Sequence, residues 1–144
     1  MTILLGQAAL DRLLPMHLHL ASDGSIRSAG PTLRKLIGPA ASFEECLGFE
    51  WPRPGRRGIA DLLRRVDGAG RLLLRLRNDP VITLRGHAVV QPDGVLFQLG
   101  FGIALVHAVG RYGLTDADFA PSDLVMEFLF LHEADGVVGD VLGA

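Results

Sequence analysis

Two histidines that alternate with apolar residues are the first side chains in this chain whose spacing could do chemistry. The segment Met16-His17-Leu18-His19-Leu20 has the period of two that is typical of a half-buried β-strand. Both histidine rings would then lie on one face of the strand, as two ligands of a metal ion would. No neighbouring acidic residue or cysteine completes a ligand set, and the alternative is the polar face of an amphipathic strand. The sequence therefore predicts no metal site here.

Three further side chains could take part in cofactor chemistry. His87 or His107 could ligate a haem iron, but a single histidine is equally compatible with a hydrogen-bonded core or surface position. Cys46, the one cysteine of the chain, could be a redox thiol or form a flavin adduct. No basic residue or histidine lies beside it in the sequence to lower its pKa, so we predict a buried structural cysteine and no bound cofactor.

Three aspartates near the C-terminus could suggest a metal-binding loop. Asp116, Asp118 and Asp123 lack the spacing, the glycine and the glutamate of an EF-hand. We predict instead that Thr115 caps a turn over the first two and that Asp123 favours the start of a helix. The sequence also lacks a dinucleotide-binding glycine motif, a P-loop and the nucleophile elbow of a hydrolase. We therefore predict that the domain itself is not an enzyme.

A segregation of charge is hidden by the net charge of −2. Residues 53–85 carry nine arginines against three aspartates, whereas residues 86–144 carry one arginine against eight acidic residues. Arg53, Arg56 and Arg57 fall in a loop rich in proline and glycine, where they could bind phosphate or nucleic acid. The interleaved aromatic residues of a single-strand binder are missing. We predict a loop that docks another domain, and no nucleic-acid partner.

The first half of the chain is predicted to contain a strand pair with one helix before it and two helices after it. The elements are a helix over 8–14 that Pro15 ends, strands over 16–20 and 26–29 joined by a turn at Asp23-Gly24, and a helix from Pro31 to Ile37. A capping box of Ser42 and Glu45 then predicts a second short helix that holds Phe43, Cys46 and Leu47. Trp51 to Gly58 is predicted as a loop.

The second half begins with a predicted three-stranded meander. Leu72, Leu74 and Leu76 would face one way from its first strand, and residues 82–90 and 95–101 would form the next two strands. For residues 102–110 the sequence leaves two alternatives: a short helix or an irregular crossing. A final helix starts at Ser122 and is apolar nearly all round, so a sheet can cover only one of its sides. A second subunit is the predicted cover for the other side.

This order of elements resembles the PAS fold: an α+β domain with a five-stranded antiparallel sheet, helices on one face, and flanking N- and C-terminal helices. Several motifs are similar to those of the haem-NO-binding-associated family, also called HNOBA or H-NOXA. They are Leu10-Asp11-Arg12-Leu13-Leu14-Pro15-Met16-His17-Leu18, Gly30-Pro31-Thr32-Leu33-Arg34-Lys35-Leu36-Ile37, Leu84-Arg85-Gly86-His87 and Tyr112-Gly113-Leu114-Thr115-Asp116-Ala117-Asp118-Phe119-Ala120-Pro121-Ser122-Asp123. The family often has glutamine where this chain has His87.

The resemblance implies a cytoplasmic, non-catalytic regulatory domain of a signal-transduction protein. Family members occur in soluble guanylate cyclases, bacterial histidine kinases and diguanylate cyclases, where they are associated with haem-based nitric-oxide sensors. The implied partners are a second copy of the chain, a haem-NO-binding sensor protein or domain and a C-terminal output domain. No interaction with a membrane is expected. The alternative is a PAS sensor that binds haem or a small ligand between sheet and helices.

The predicted organisation follows from these two lines of argument. Residues 1–14 would form an N-terminal helical cap, 15–121 the PAS-like core and 122–144 a signalling helix that leads to an output domain. The apolar side chains of the first and last helices would pair two copies of the chain. The predicted dimer interface consists of Leu10, Leu13, Leu14, Leu124, Val125, Phe128 and Leu131.

Overall fold

A computed structural model describes residues 4–51, 71–102 and 104–120. Its elements in chain order are α1 (Gln7–Leu13), β1 (His17–Ala21), β2 (Ile26–Ala29), α2 (Pro31–Ile37), α3 (Phe43–Cys46), β3 (Leu47–Trp51), β4 (Leu72–Leu76), β5 (Thr83–Gln91), β6 (Gly94–Phe101), α4 (Leu105–Tyr112) and a 3-10 helix (Asp116–Asp118). Helices and an antiparallel sheet share the described part of the chain, so the predicted α+β class is confirmed.

The six described strands form one antiparallel sheet in the order β2-β1-β6-β5-β4-β3. Short connections join β1 to β2, β4 to β5 and β5 to β6, and these neighbours in the chain are neighbours in the sheet. The first strand, β1, also pairs along its whole length with β6, the last. The N-terminal hairpin and the later meander are thereby joined into a single sheet, and the sheet's centre is built from strands distant in sequence.

The prediction of five strands is wrong, because β3 pairs with β4 as a sixth strand at the edge of the sheet. The sequence predicts the end of a helix at Leu47 and a loop from Trp51, yet both residues lie in β3. The predicted capping box does not form either: Ser42 makes no side-chain cap, and the Glu45 carboxylate accepts the Ala41 N–H at 3.1 Å. Pairing of Leu47 with Leu76 therefore outweighs the local helix signal.

The first hairpin follows the prediction closely. The Asp23 carboxylate accepts hydrogen bonds from the backbone N–H and the hydroxyl of Ser25 at 2.9 and 2.6 Å. Gly24 has a φ of +90°, which a residue with a side chain rarely adopts. The local side-chain bond and this glycine together turn the chain and set the start of β2.

The hydrophobic core lies between one face of the sheet and the helices. Alternation along β4 buries every second leucine, as the sequence predicts, and α2 buries three apolar side chains at helical spacing. The largest buried side chain is Phe97 of β6, whose ring meets that of Phe43 edge-on at 6.1 Å. The leading members of the core are Leu18, Leu20, Leu33, Leu36, Ile37, Leu47, Leu72, Leu74, Leu76, Leu84 and Phe97.

The opposite face of the sheet, which we call the outer face, carries the alternate residues of the same strands. The cross-strand pairs His17 with Gln98 and His87 with Gln98 place one residue each from β1, β6 and β5 in a single row. Arg85 follows on β5, two residues from His87 and on the same face. Helix α1 lies against this face at the β1 end, because Gln7 and Leu14 both contact residues of β1 or β2 there.

The region after the meander is helical, which decides between the two predicted alternatives. Helix α4 ends at Gly113, whose φ of +63° is the left-handed conformation that glycine adopts at helix C-termini. The 3-10 helix that follows has the predicted cap at Thr115, and Asp118 completes a capping box. Among the residues described, none of the helices is both long and apolar enough to cross a membrane.

Candidate functional site

The N-terminal segment formed by α1 and the residues that flank it carries an apolar surface that is partly exposed to solvent. Leu4, Leu5 and Leu13 are 89%, 57% and 59% exposed, and Leu10 and Leu14 are half-buried. We call these five residues the N-terminal leucine patch. Exposed leucines concentrated on one short segment are typical of an interaction surface, because scattered single apolar residues are the usual finding on a monomer. The three predicted interface residues of the first helix all belong to this patch.

A polar network holds α1 against the outer face of the sheet. The Gln7 amide donates to Asp11 at 2.7 Å, within the helix, and its oxygen accepts from the Ser28 hydroxyl at 3.0 Å. The Ser28 oxygen is in turn 2.7 Å from Nε2 of His17, and Nδ1 of His17 is 2.9 Å from the Leu14 carbonyl. The network therefore links both ends of α1 to two strands through one histidine.

His17 is the buried centre of this network, with 0% of its side chain exposed. Because a carbonyl oxygen can only accept, Nδ1 must carry the hydrogen in the bond to Leu14. The Gln7 amide oxygen can also only accept, so the Ser28 hydroxyl donates its one hydrogen to Gln7 and accepts from Nε2 of His17. The Asp11 carboxylate lies 4.0 Å from Nδ1. The predicted amphipathic strand exists, but α1 covers its polar face at this position.

The second histidine of β1 lies two residues further along the same face. His19 is half-buried, and its Nε2 is 3.9 Å from the Asp93 carboxylate in the β5–β6 turn. Arg27 contacts the other oxygen of Asp93 at 3.2 Å. Across residues 4–51, 71–102 and 104–120, no three or more histidine, cysteine, aspartate or glutamate side chains group as metal ligands would.

A second polar cluster fastens α2 to the 3-10 helix. The Asp118 carboxylate is 2.7 Å from Nζ of Lys35 and accepts the Thr115 N–H at 2.8 Å. The Thr32 hydroxyl donates to the Asp118 carbonyl oxygen. Burial alone would raise the pKa of Asp118, but the hydrogen bonds from Lys35 and from the Thr115 backbone lower it overall. Asp118 is thus a structural anchor, in agreement with the predicted capping role; Asp123 lies outside the described residues.

A third cluster centres on Asp79, a buried residue in the turn between β4 and β5. Its Oδ2 atom contacts Nε of Arg111 at 2.8 Å, the Tyr112 hydroxyl at 3.2 Å and Nε2 of His107 at 3.5 Å. Burial raises the pKa of Tyr112, so its phenol stays protonated and donates to the carboxylate. These contacts tie α4 to the meander. His107, one of the two histidines considered as haem ligands, is exposed and lies beside this carboxylate.

The remaining candidate side chains have clear positions. Cys46 is buried, as predicted, and burial raises the pKa of its thiol to about 11, which favours a structural rather than a reactive cysteine. His87 is exposed on the outer face of β5, away from the interior between sheet and helices. Several predicted site residues lie outside the described part of the chain. These are Arg53, Arg56, Arg57, Leu124, Val125, Phe128 and Leu131.

No protein-family model and no curated protein sequence matches this chain. Its function is therefore inferred from the geometry of its own residues. Two features of the outer face have no evident role in holding the core together. One is the N-terminal leucine patch, and the other is a pair of arginines, Arg71 just before β4 and Arg85 on β5.

The sequence does not predict the hydrogen-bond partners of the His17 ring. Its partner Ser28 lies eleven residues later, and the pairing of β1 with β2 brings the two together; Gln7, ten residues before His17, bonds to Ser28 and not to the ring. The signal that could have found this contact is Ser28, a polar residue in the second strand of the predicted hairpin. It lies opposite His19 in the antiparallel register, on the same face as both histidines.

Proposed function

We propose that this chain is a non-catalytic regulatory and dimerisation domain of a signal-transduction protein, with a PAS-like fold. The observation that carries the proposal is the N-terminal leucine patch. Leu4, Leu5 and Leu13 of the patch are exposed, yet the helix at its centre is fastened through a wholly buried histidine. An apolar surface held in a fixed orientation is what a two-fold interface requires, since each copy must present the same patch.

The sheet supports the PAS-like part of the proposal. With the edge strand β3 set aside, the order is β2-β1-β6-β5-β4, a two-stranded hairpin joined to a three-stranded meander with helices between them in sequence. The side chains Leu72, Leu74, Leu76, Phe97 and Phe101 belong to that sheet and are buried in the core. Their close packing in the interior favours dimerisation over the alternative of an internal ligand sensor.

The partners in this proposal are a second copy of the chain, a haem-NO-binding sensor protein or domain and a C-terminal output domain in the cytoplasm. The output would be a histidine kinase, a guanylate cyclase or a diguanylate cyclase. Arg53, Arg56 and Arg57 would dock the partner domain. The mechanism is mechanical: a regulator changes how two copies pack, and two packings a few kcal/mol apart suffice to switch the output.

The experiment measures the mass of the chain in solution by light scattering after size exclusion, at micromolar concentration. We expect a dimer. Leu13→Glu places a charge in the leucine patch and should give a monomer with unchanged circular dichroism. Val81→Glu is the matched control, because Val81 is 62% exposed in the β4–β5 turn and does not belong to the patch. A monomeric parent chain, or a Leu13→Glu variant that stays dimeric, would refute the proposed interface.

A further inference from the structure

A groove on the outer face of the sheet lies over strands β5 and β6, beside the start of β4. Its volume is about 570 Å³, and its polar lining consists of Arg71, Arg85, His87 and Gln98. We propose that this groove binds a small organic anion through a phosphate or carboxylate group. The site is distinct from the N-terminal leucine patch, so the proposal does not depend on dimerisation.

The register of the sheet brings the four polar side chains together. His87 pairs with Gln98 across β5 and β6, and Arg85 pairs with Gly100 one step further on the same face. Leu72 pairs with Gly86, so the same register extended by one residue brings Arg71 beside His87. Neighbouring side chains on one face of adjacent strands are about 5 Å apart at Cβ. The two guanidinium groups and the two ring or amide donors therefore surround one space.

Glycines create that space. Gly100 faces Arg85 across the strands, and a Cβ added at Gly100 would find no atom nearer than the Arg85 carbonyl oxygen at 4.0 Å. The absence of a side chain there leaves the floor of the groove open. Gly86 has a different role, because a Cβ at that position would lie 1.9 Å from the Gln98 carbonyl oxygen. Gly86 allows the close approach of β5 and β6, and Gly100 provides the room.

The charged side chains that the described residues contribute to the groove are all positive. Among them, the lining contains two arginines and no acidic residue. Other arginines of the sheet and of α4 have acidic partners: Arg27 with Asp93, Arg75 with Glu50 and Arg111 with Asp79. Within the described residues, by contrast, no acidic side chain pairs with Arg71 or Arg85. Two like charges placed side by side repel each other, and a bound anion would relieve that repulsion.

The chemistry of the lining selects the class of ligand. An arginine guanidinium is a planar fork that binds carboxylate or phosphate oxygens with two parallel hydrogen bonds. Gln98 adds a neutral donor and His87 a ring nitrogen at the same edge of the groove. The volume falls within the range of about 300–1,000 Å³ for small-molecule sites, so it has room for an organic body beside the anionic group.

The first test is a titration followed by amide chemical shifts, with glycerol 3-phosphate, citrate and glycerol as probes. Glycerol 3-phosphate tests the phosphate arm, citrate tests the carboxylate arm, and glycerol is the neutral control. We expect the amide signals of Gly86, His87 and Gly100 to move with at least one of the anions and not with glycerol. Arg71→Ala and Arg85→Ala should each weaken binding by about tenfold or more, because each removes a charge-assisted hydrogen-bonding group.

Matched variants separate a built site from general attraction to positive charge. Arg27→Ala removes an exposed arginine that already pairs with Asp93, and it should leave the affinity within about twofold. Gly100→Val fills the groove without altering any charge and should abolish binding, whereas Thr83→Val, on the same face but outside the groove, should not. Equal losses for Arg27→Ala and Arg85→Ala, full binding by Gly100→Val, or no shift with either anion would overturn the proposal. The Leu13→Glu variant should bind as the parent chain does, so failure of the dimer proposal would be distinguishable.

Discussion

Replacement of Ser28 by alanine tests whether the buried histidine network holds α1 in place. The Ser28 hydroxyl is the partner of Nε2 of His17, which is completely buried. Without it, that ring nitrogen has no hydrogen-bonding partner among the contacts described here, and water cannot reach it without opening the helix. An unsatisfied buried polar group costs about 1–3 kcal/mol, so we expect Ser28→Ala to lower the free energy of unfolding by about 2 kcal/mol. The melting temperature should fall by roughly 4–8 °C for a chain of this length.

The variant His17→Leu removes the other side of the same hydrogen bond. In His17→Leu, Ser28 keeps its bond to Gln7, and the Leu14 carbonyl keeps the backbone N–H of residue 17 at 3.0 Å. No buried polar group loses its last partner, so His17→Leu should destabilise the chain less than Ser28→Ala does. The double variant should unfold at about the same free energy as His17→Leu alone, since replacement of both partners by apolar groups is nearly neutral.

The assay is urea unfolding followed by far-ultraviolet circular dichroism, with Ser22→Ala as the control. Ser22 is exposed in the turn after β1, and its replacement should change the free energy of unfolding by less than about 0.5 kcal/mol. Limited proteolysis adds a local readout, because Ser28→Ala should expose the chain around α1 to cleavage before the sheet unfolds. Strictly additive costs in the double variant, or a His17→Leu cost as large as that of Ser28→Ala, would refute the reasoning.

Two further predictions concern groups whose pKa departs from its ordinary value. Asp118 has a pKa lowered below 3.8 in the folded chain, so its contribution to stability is present above that pH and is lost as the pH falls further. Asp118→Asn should lower the free energy of unfolding by about 1 kcal/mol at neutral pH and flatten the acid side of the pH–stability curve; parallel curves for both chains would contradict this. Cys46 has a pKa raised from 9.0 to about 11, so stability should fall as the pH rises through this interval, and a thiol reagent at mildly alkaline pH should react about a hundredfold faster with the unfolded chain than with the native one. Equal rates of reaction in both states would show that the thiol is accessible.

Local patterns account for the elements that the sequence predicted correctly. The alternation of leucines along β4, the proline at the start of α2 and the Asp23-Gly24 turn each act within a few residues of the chain. Such signals need no knowledge of the fold, because the chain's own neighbours supply the hydrogen bonds and the burial pattern. The predicted capping of the turn at Thr115 has the same basis.

The errors and omissions arise where pairing over a long sequence distance decides the outcome. Strand β3 forms because β4, more than twenty residues later, offers an edge for Leu47 and its neighbours. The Arg71 and Arg85 pair likewise exists only because β4 and β5 pair in one particular register. A shift of one residue would move one of these arginines to the core face. No local property of either arginine indicates the groove.

The two features of the outer face are neighbours in the sheet, and this determines which variants can separate them. Gln98 on β6 pairs with His17 of the α1 network on one side and with His87 of the groove on the other. Strands lie about 4.8 Å apart, so these two histidines are separated by roughly 10 Å across the sheet. A change at Gln98 would therefore affect both features at once. Ser28 lies beyond β1 at one side of this row and Arg85 lies towards β4 at the other, so each reports on a single feature. If Ser28→Ala also weakened anion binding, the row His17-Gln98-His87 would have to transmit the loss of the α1 anchor to the groove, and the two features would form one coupled surface rather than two independent ones.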